Sequence, residues 1–257
     1  QAGPKDYTRA ILSWLEAHGG RTVNGWRVLE LEMSEVDKLT RLRAAGIETP
    51  RTIAAIGRAH VVEAARAIPA PFVTKHNQGG KGLGVRRFDD HDELAEYVAS
   101  DEFEEPQDGI TLIQEFIVAA TPRITRVEIV GGEFLYAIDA DTARGGFQLC
   151  PADACEIDPT TGQPIMPPGA TLAPEIGQQL FSLREGFDHP IIEKYLAFAR
   201  ANGIEVCGIE FIEAQDGWLL TYDVNTNTNY NSAVEEVAPR SAPRELARYL
   251  RSLAEGL

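Results

Sequence analysis

The chain has 257 residues, 44% of them hydrophobic, enough to bury one large domain or two small lobes. Its formal net charge is -15, from 24 Lys and Arg against 39 Asp and Glu, which argues against a nucleic acid or an anionic membrane as partner. Three cysteines, Cys150, Cys155 and Cys207, fit a reducing cytoplasm, and no apolar run approaches membrane-spanning length.

Residues Gln1 to Tyr7 hold no apolar signal-peptide region, so a cytoplasmic location is expected. A helix fits Asp6 to His18, with Asp6 as N-cap, Ile11, Leu12 and Leu15 on one face, and Gly19-Gly20 as its stop. Ser34 opens a second helix with Asp37 in a capping-box position, and Gly46 closes it before Thr49-Pro50 breaks the chain. Residues 58 to 68 read as helical and Pro71 to His76 as a short strand. A glycine-rich loop from Asn77 to Gly84 follows, then a strand from Val85 to Phe88. A helix begins near Asp90, and Ile110 to Ile117 reads as a strand.

Arg126 to Val130 and Glu133 to Ile138 form a strand pair turned at Gly131-Gly132. Cys150 to Pro174 carries six prolines and little periodicity, which marks a long insertion. Cys150 and Cys155 have neither a second cysteine pair nor nearby histidines, so zinc is not expected there. Helices at Pro190 to Asn202 and Ala242 to Leu253 bracket residues 206 to 225. With antiparallel pairing prominent, the fold class is α+β.

Residues 206 to 225 read as a β-hairpin built to present a metal site. Asp216-Gly217 between alternating apolar runs is a two-residue turn signal, because a type I′ turn needs φ > 0 at both central positions. With Gln215 facing Trp218, Glu210 comes opposite Asp223 and Gly208 opposite Asn225. Glu210, Asp223 and Asn225 then share one face, while Ile209, Phe211, Leu220, Tyr222 and Val224 form the other, apolar face. Two opposed carboxylates need a cation between them, and all-oxygen ligands suit Mg²⁺ holding a nucleotide's phosphates.

In the glycine loop, Gly79, Gly80, Gly82 and Gly84 allow backbone N–H groups to approach an anion closely, with Lys75 and Lys81 adding charge. It is not a Walker A loop, since Gly80-Lys81 is not followed by Ser or Thr, and alone it is no more than a turn signal.

The order of these features is more specific than any one of them: Lys75 on a strand, the glycine loop, Gln114-Glu115-Phe116-Ile117, the Arg126 strand, then Glu210 and Asp223-Val-Asn225. In that order the chain resembles, over about residues 22 to 231, the ATP-grasp superfamily. The branch it looks most like is that of the glutamate-adding ligases, related to ribosomal-protein glutamate ligases and glutathione synthases. The resemblance implies two α+β lobes clasping ATP, lobe A at 33–114 with the glycine-rich lid and lobe B at 115–257 with the metal site. Only 37 residues precede Lys38, too few for the α/β domain usual in such enzymes, so residues 1–32 are expected to be its remnant in a sequence that starts late.

The resemblance also implies roles. Lys38 and Lys75 are the phosphate-binding lysines, and Gly79, Gly80, Lys81, Gly82 and Gly84 belong to the lid. Gln114, Glu115, Phe116 and Ile117 form the adenine hinge. Arg126 contacts the transferred phosphoryl group, with Lys75 beside it in catalysis. Glu210, Asp223 and Asn225 hold Mg²⁺ or Mn²⁺. Three departures stand out: no acidic residue follows the hinge for the ribose, Ile124 stands where the branch often has Asp, and Thr226-Asn-Thr-Asn-Tyr-Asn231 replaces a Ser-rich segment. That polar run is a substrate contact or a loop satisfying its own backbone.

The implied activity is an ATP-dependent carboxylate–amine ligase working through an acyl phosphate, with small-molecule acid and amine substrates and a possible homo-oligomeric state. The alternatives are an enzyme that modifies side chains of a peptide or protein, with the 150–174 insertion as its docking surface, and a non-catalytic nucleotide-binding regulatory protein.

Overall fold

A computed structural model describes residues 4–79, 85–145 and 180–256. The chain divides into two compact units, one of Gln1–Thr121 with Phe211–Val224, the other of Pro122–Glu210 with Asn225–Leu257. The Cys150 to Pro174 insertion, and Gly80 to Gly84 of the glycine loop, lie outside the described residues.

The first unit opens with three helices, α1 (Pro4–Ala17), α2 (Trp26–Glu32) and α3 (Glu35–Ala44). Asp6 lies in the first turn of α1 and is not its N-cap, because the helix already begins at Pro4. Helix α2 has weak sequence signals: it is only seven residues long and its N-cap, Gly25, offers no side-chain acceptor.

At α3 the sequence signals hold, and its N-terminal donors are all paired. Asp37 N–H donates to the Ser34 hydroxyl at 3.3 Å, and Lys38 N–H donates to the Ser34 carbonyl at 2.9 Å. Asn77 supplies the other two acceptors, its carbonyl for Glu35 N–H at 3.1 Å and its side-chain oxygen for Val36 N–H at 2.9 Å. The first residue of the glycine loop thus fixes the end of the helix that carries Lys38. Gly46, at φ 70, ends the helix.

Strands β1 (Thr52–Ile56), β2 (Phe72–His76), β3 (Arg86–Phe88) and β4 (Ile110–Glu115) make an antiparallel sheet in the order β1-β4-β2-β3. Short helix α4 (Val61–Ala65) and helix α5 (His91–Ala99) close its core, where Phe72, Phe88, Leu94 and Ile113 are fully buried. Asp90 caps α5 as its position suggested, accepting from Glu93 N–H at 2.8 Å. The helix expected over 58 to 68 is instead a 3₁₀ turn at Arg58–His60, α4, and a tail in which Ala67 and Ile68 reach back three residues. Pro69 and Pro71 explain the tightening, since a residue before proline is pushed out of the α region.

The second sheet has the order β7-β6-β5-β8-β9, with β5 (Arg123–Val130), β6 (Glu133–Asp141), β7 (Phe181–Leu183), β8 (Val206–Glu213) and β9 (Leu219–Asn225). The unit boundaries fall within it, after Glu210 in β8 and after Val224 in β9. The β5–β6 hairpin turns at Gly131-Gly132 as expected, with φ 61 and 79. Both strands are longer than their apolar runs, Arg123 pairing with Asp141 and Arg126 with Ile138.

The β8–β9 turn differs from the two-residue reading. Ala214 N–H donates to the Trp218 carbonyl at 2.9 Å, so Gln215, Asp216 and Gly217 form a three-residue loop. Only Gly217 takes positive φ, at 88, while Asp216 accepts from Trp218 N–H at 3.2 Å. A type I turn closed by a left-handed glycine needs one such residue rather than two. The count that placed Glu210 opposite Asp223 therefore loses its basis. Ile209, Phe211 and Val224 are fully buried as expected, while Leu220 and Tyr222 are only half-buried.

Gly131 has a second constraint within its unit. A Cβ there would meet the Tyr249 ring at 2.7 Å, whereas one at Gly132 would meet nothing within 4 Å. Gly131→Ala is expected to cost about 2 kcal/mol and Gly132→Ala about 1 kcal/mol, since both incur left-handed strain but only the first also overpacks. Urea denaturation of the two variants checks this, and equal losses would contradict it.

Candidate functional site

In the first unit, Lys38 and Asp223 are neighbours although 185 positions apart in the chain. Lys38, one turn into α3, is buried, and its Nζ donates to Asp223 Oδ1 at 2.8 Å. It also pairs with Glu35, one helical turn back on α3. Glu35 reaches Lys75 on β2 as well, at 2.9 Å. The result is a chain of alternating charge, Asp223–Lys38–Glu35–Lys75.

Burial acts against the charges of Lys38 and Asp223, and the partners decide the outcome. Burial pushes the Lys38 ammonium down, but Asp223, Glu35 and Glu32 outweigh it and hold it well above its ordinary value. Burial pushes the Asp223 carboxyl up, but Lys38 and Lys75 outweigh it and hold it below the usual carboxylate range. Both lysines expected to bind phosphate are thus brought together on Glu35. Glu35, which links them, was missed by the sequence reading. Its spacing three residues before Lys38 was the available signal.

The second unit holds a matching cluster around Arg126. The Arg126 Nε donates to Glu128 Oε1 at 2.7 Å and its Nη1 to Glu210 Oε1 at 3.2 Å, and its Nη2 bonds the Thr228 hydroxyl. Thr228 passes the contact on, donating to Glu128 Oε2 at 3.0 Å. Asn225 donates to Glu210 Oε1 at 3.1 Å. Arg126, Glu128 and Glu210 are all buried. Burial pushes the Glu128 carboxyl above the usual range, against the opposing pull of Arg126 and Thr228.

Within each unit a side-chain cation meets one of the expected ligand carboxylates, Lys38 on Asp223 and Arg126 on Glu210. Among the described residues no group of three His, Cys, Asp or Glu is arranged to hold a metal ion. The expected set, two carboxylates and one amide oxygen, has the hard-oxygen chemistry that Mg²⁺ takes.

The residues expected to form the hinge fall at and just past the end of β4. Gln114 is buried and donates from its amide to the Thr52 hydroxyl at 2.8 Å. Glu115 exchanges bonds with Arg51, its N–H reaching the Arg51 carbonyl at 2.9 Å and its carboxylate accepting from Arg51 N–H at 2.6 Å. Phe116 N–H reaches the Pro71 carbonyl at 3.3 Å, and Arg87 covers its ring at 4.4 Å. Ile117 lies beyond the strand and is half-buried. Of the expected lid, Gly79 is described, while Gly80, Lys81, Gly82 and Gly84 lie outside the described residues. His76 Nε2 bonds the Glu104 carbonyl at 3.1 Å.

Solved structures of the same shape decide the fold. A RimK-domain ATP-grasp protein from Sphaerobacter thermophilus matches 94% of this chain and 76% of its own at TM-score 0.66 and 16% identity. The ATP-grasp ligase PsnB, complexed with a minimal precursor, matches 96% of this chain and 68% of its own at TM-score 0.62 and 16% identity. The chain has the ATP-grasp fold. A D-alanine–D-alanine ligase from Bacillus anthracis shares it over 98% of this chain and 77% of its own, at TM-score 0.59 and 19% identity. No protein-family model and no curated protein sequence matches the chain. Among the described residues, no helix of this ATP-grasp chain is long and apolar enough to cross a membrane.

The Lys38 network makes a stability prediction. Lys38→Met would leave two acidic partners without their buried cation and should cost about 3 kcal/mol, the scale of a broken buried pair. Lys75→Met should cost clearly less, since Glu35 keeps Lys38. Urea denaturation of both variants measures this, and a Lys38→Met as stable as the parent would contradict the assigned network.

Proposed function

We propose that this chain is an ATP-dependent carboxylate–amine ligase. The observation that carries the reading is the gathering of the expected phosphate and phosphoryl cations with the expected ligand oxygens on an ATP-grasp fold. Lys38, Lys75 and Asp223 meet in one unit, and Arg126, Glu210 and Asn225 meet in the other. In this reading Lys38 and Lys75 bind phosphate oxygens, which replace the carboxylates the lysines now hold. Gln114 to Ile117 bind adenine, and Gly79 to Gly84 with Lys81 cover the phosphates.

Glu210, Asp223 and Asn225 would hold Mg²⁺, or Mn²⁺, which supplies neutralising charge to the phosphoryl oxygens. A substrate carboxylate oxygen attacks the γ-phosphorus of ATP, forming the acyl phosphate and releasing ADP. Lys75 and Arg126 meet the charge that develops on the transferred group. The amine nitrogen then attacks the acyl carbon, phosphate leaves, and a proton passes to solvent. No side-chain nucleophile is required by this sequence of steps.

One observation favours a peptide as a substrate. PsnB has structures with a precursor peptide, and its likeness covers 96% of this chain. The second reading is accordingly a ligase that acts on side chains of a peptide. Both readings place the protein among small-molecule or peptide substrates in the cytoplasm.

ADP release measured over amino acids and acidic or basic peptides, with mass spectrometry of the mixture, tests the reading. The expected product has the combined mass of acid and amine less one water. Arg126→Lys should lower turnover by about a hundredfold while leaving ATP affinity nearly intact, since a planar fork is replaced by a single donor. Parent-like turnover in that variant would remove Arg126 from the assigned role.

A further inference from the structure

We propose that Glu128 and Thr228 are positioning residues, which lock the Arg126 guanidinium in one orientation from which it presents its charge to a phosphoryl group. The inference rests on the role given to Arg126 above, and its own geometry is independent of that role. Arg126 and Glu128 are two residues apart on β5, so their side chains leave the same face of the strand. Glu128 accepts from Nε–H at 2.7 Å, Thr228 accepts from Nη2, and Thr228 donates to the second Glu128 oxygen at 3.0 Å. The three side chains close a ring of hydrogen bonds in which the hydroxyl both accepts and donates. A guanidinium held at both Nε and Nη2 cannot rotate about its own axis without breaking two charge-assisted bonds.

Gly208 supplies the floor of the arrangement. A Cβ at that position would lie 2.1 Å from Arg126 Nε and 2.5 Å from both Cζ and Nη2. Its φ is not in the left-handed region, so the glycine is required by space and not by backbone conformation. The guanidinium therefore lies against the bare backbone of β8, with Glu128 and Thr228 along its edge.

The lock matters because Glu210 has two claims on it. Glu210 accepts from Arg126 at 3.2 Å and is also an expected ligand of the metal. When Glu210 is drawn toward a cation, an arginine held by Glu210 alone would swing out of place. Glu128 has no such competing assignment, and burial makes it costly to leave unpaired. Glu128 and Thr228 thus keep the direction of Arg126 independent of what Glu210 binds. The sequence departs from the branch at this polar run after Asn225, and Thr228 gives one residue of it a defined task.

The test follows the Arg126 Nε proton directly, in the full ¹⁵N-labelled chain, with the signal assigned by its loss in Arg126→Lys. In the parent this proton should exchange slowly with water. Thr228→Val and Glu128→Gln should speed that exchange by about tenfold or more, the scale of one lost bond to a charged group. Thr228→Ser keeps the hydroxyl and should restore slow exchange, which a purely packing role for the threonine would not do. The Thr228 pair decides the matter even if Glu128→Gln fails to fold. Parent-like exchange in Thr228→Val, or a Thr228→Ser that behaves like Thr228→Val, would overturn the proposal. Failure of the parent to bind AMPPNP with Mg²⁺ would instead count against the ligase reading and leave the exchange result standing.

Discussion

Compensation of buried charge organises this molecule. In the first unit buried Lys38 balances the partly buried Asp223 and Glu35, and in the second Arg126 balances the buried Glu128 and Glu210. An unpaired charge in such surroundings costs several kcal/mol, so loss of the buried cation is the most costly change to either cluster. In the proposed reading the consequence is preorganisation: buried Lys38 and Arg126 are paired and fixed before a phosphate arrives, the condition under which electrostatic stabilisation of a transition state is most effective.

The backbone is arranged to deliver those charges. Asn77 pins the N-terminus of α3 so that Lys38 enters the core one turn later, and β2 brings Lys75 to the same carboxylate. On β5, a two-residue spacing sends Arg126 and Glu128 to one face, and a glycine on β8 leaves room for the guanidinium. In the proposed reading, binding phosphate is an exchange of partners: the lysines trade carboxylates for phosphate oxygens, and the released carboxylates become available to a divalent cation. On this account, apo-state ion pairs and the proposed ligand contacts use the same atoms.

Much of the scaffold was legible in the sequence because its signals are local. Ser34 and Asp90 act as N-caps where their spacing says, and Gly131-Gly132 turns the hairpin with both residues at positive φ. The order of lysine, glycine loop, hinge, arginine strand and acidic hairpin was enough to indicate the ATP-grasp fold. What escaped was short or non-local. Strand β1 is five residues of small and apolar side chains without alternation, and α2 has no capping side chain.

The turn at Asp216-Gly217 was misread because Asp-Gly serves two loop lengths. An aspartate that accepts from Trp218 N–H stays at negative φ and selects the longer one. The partners of the site residues were the least legible part. Pairing Lys38 with Asp223 spans 185 positions, and tying Arg126 to Thr228 spans 102, distances over which no local pattern speaks. Tertiary packing alone brings those atoms together.

In the proposed reading the Lys38–Lys75 cluster is a nucleotide site for phosphates. Isothermal calorimetry with AMPPNP, run once with Mg²⁺ and once with EDTA in its place, tests it most directly. The account predicts saturable binding with the metal and its loss or severe weakening without it. No binding with Mg²⁺ present, or equal binding in both titrations, would contradict it.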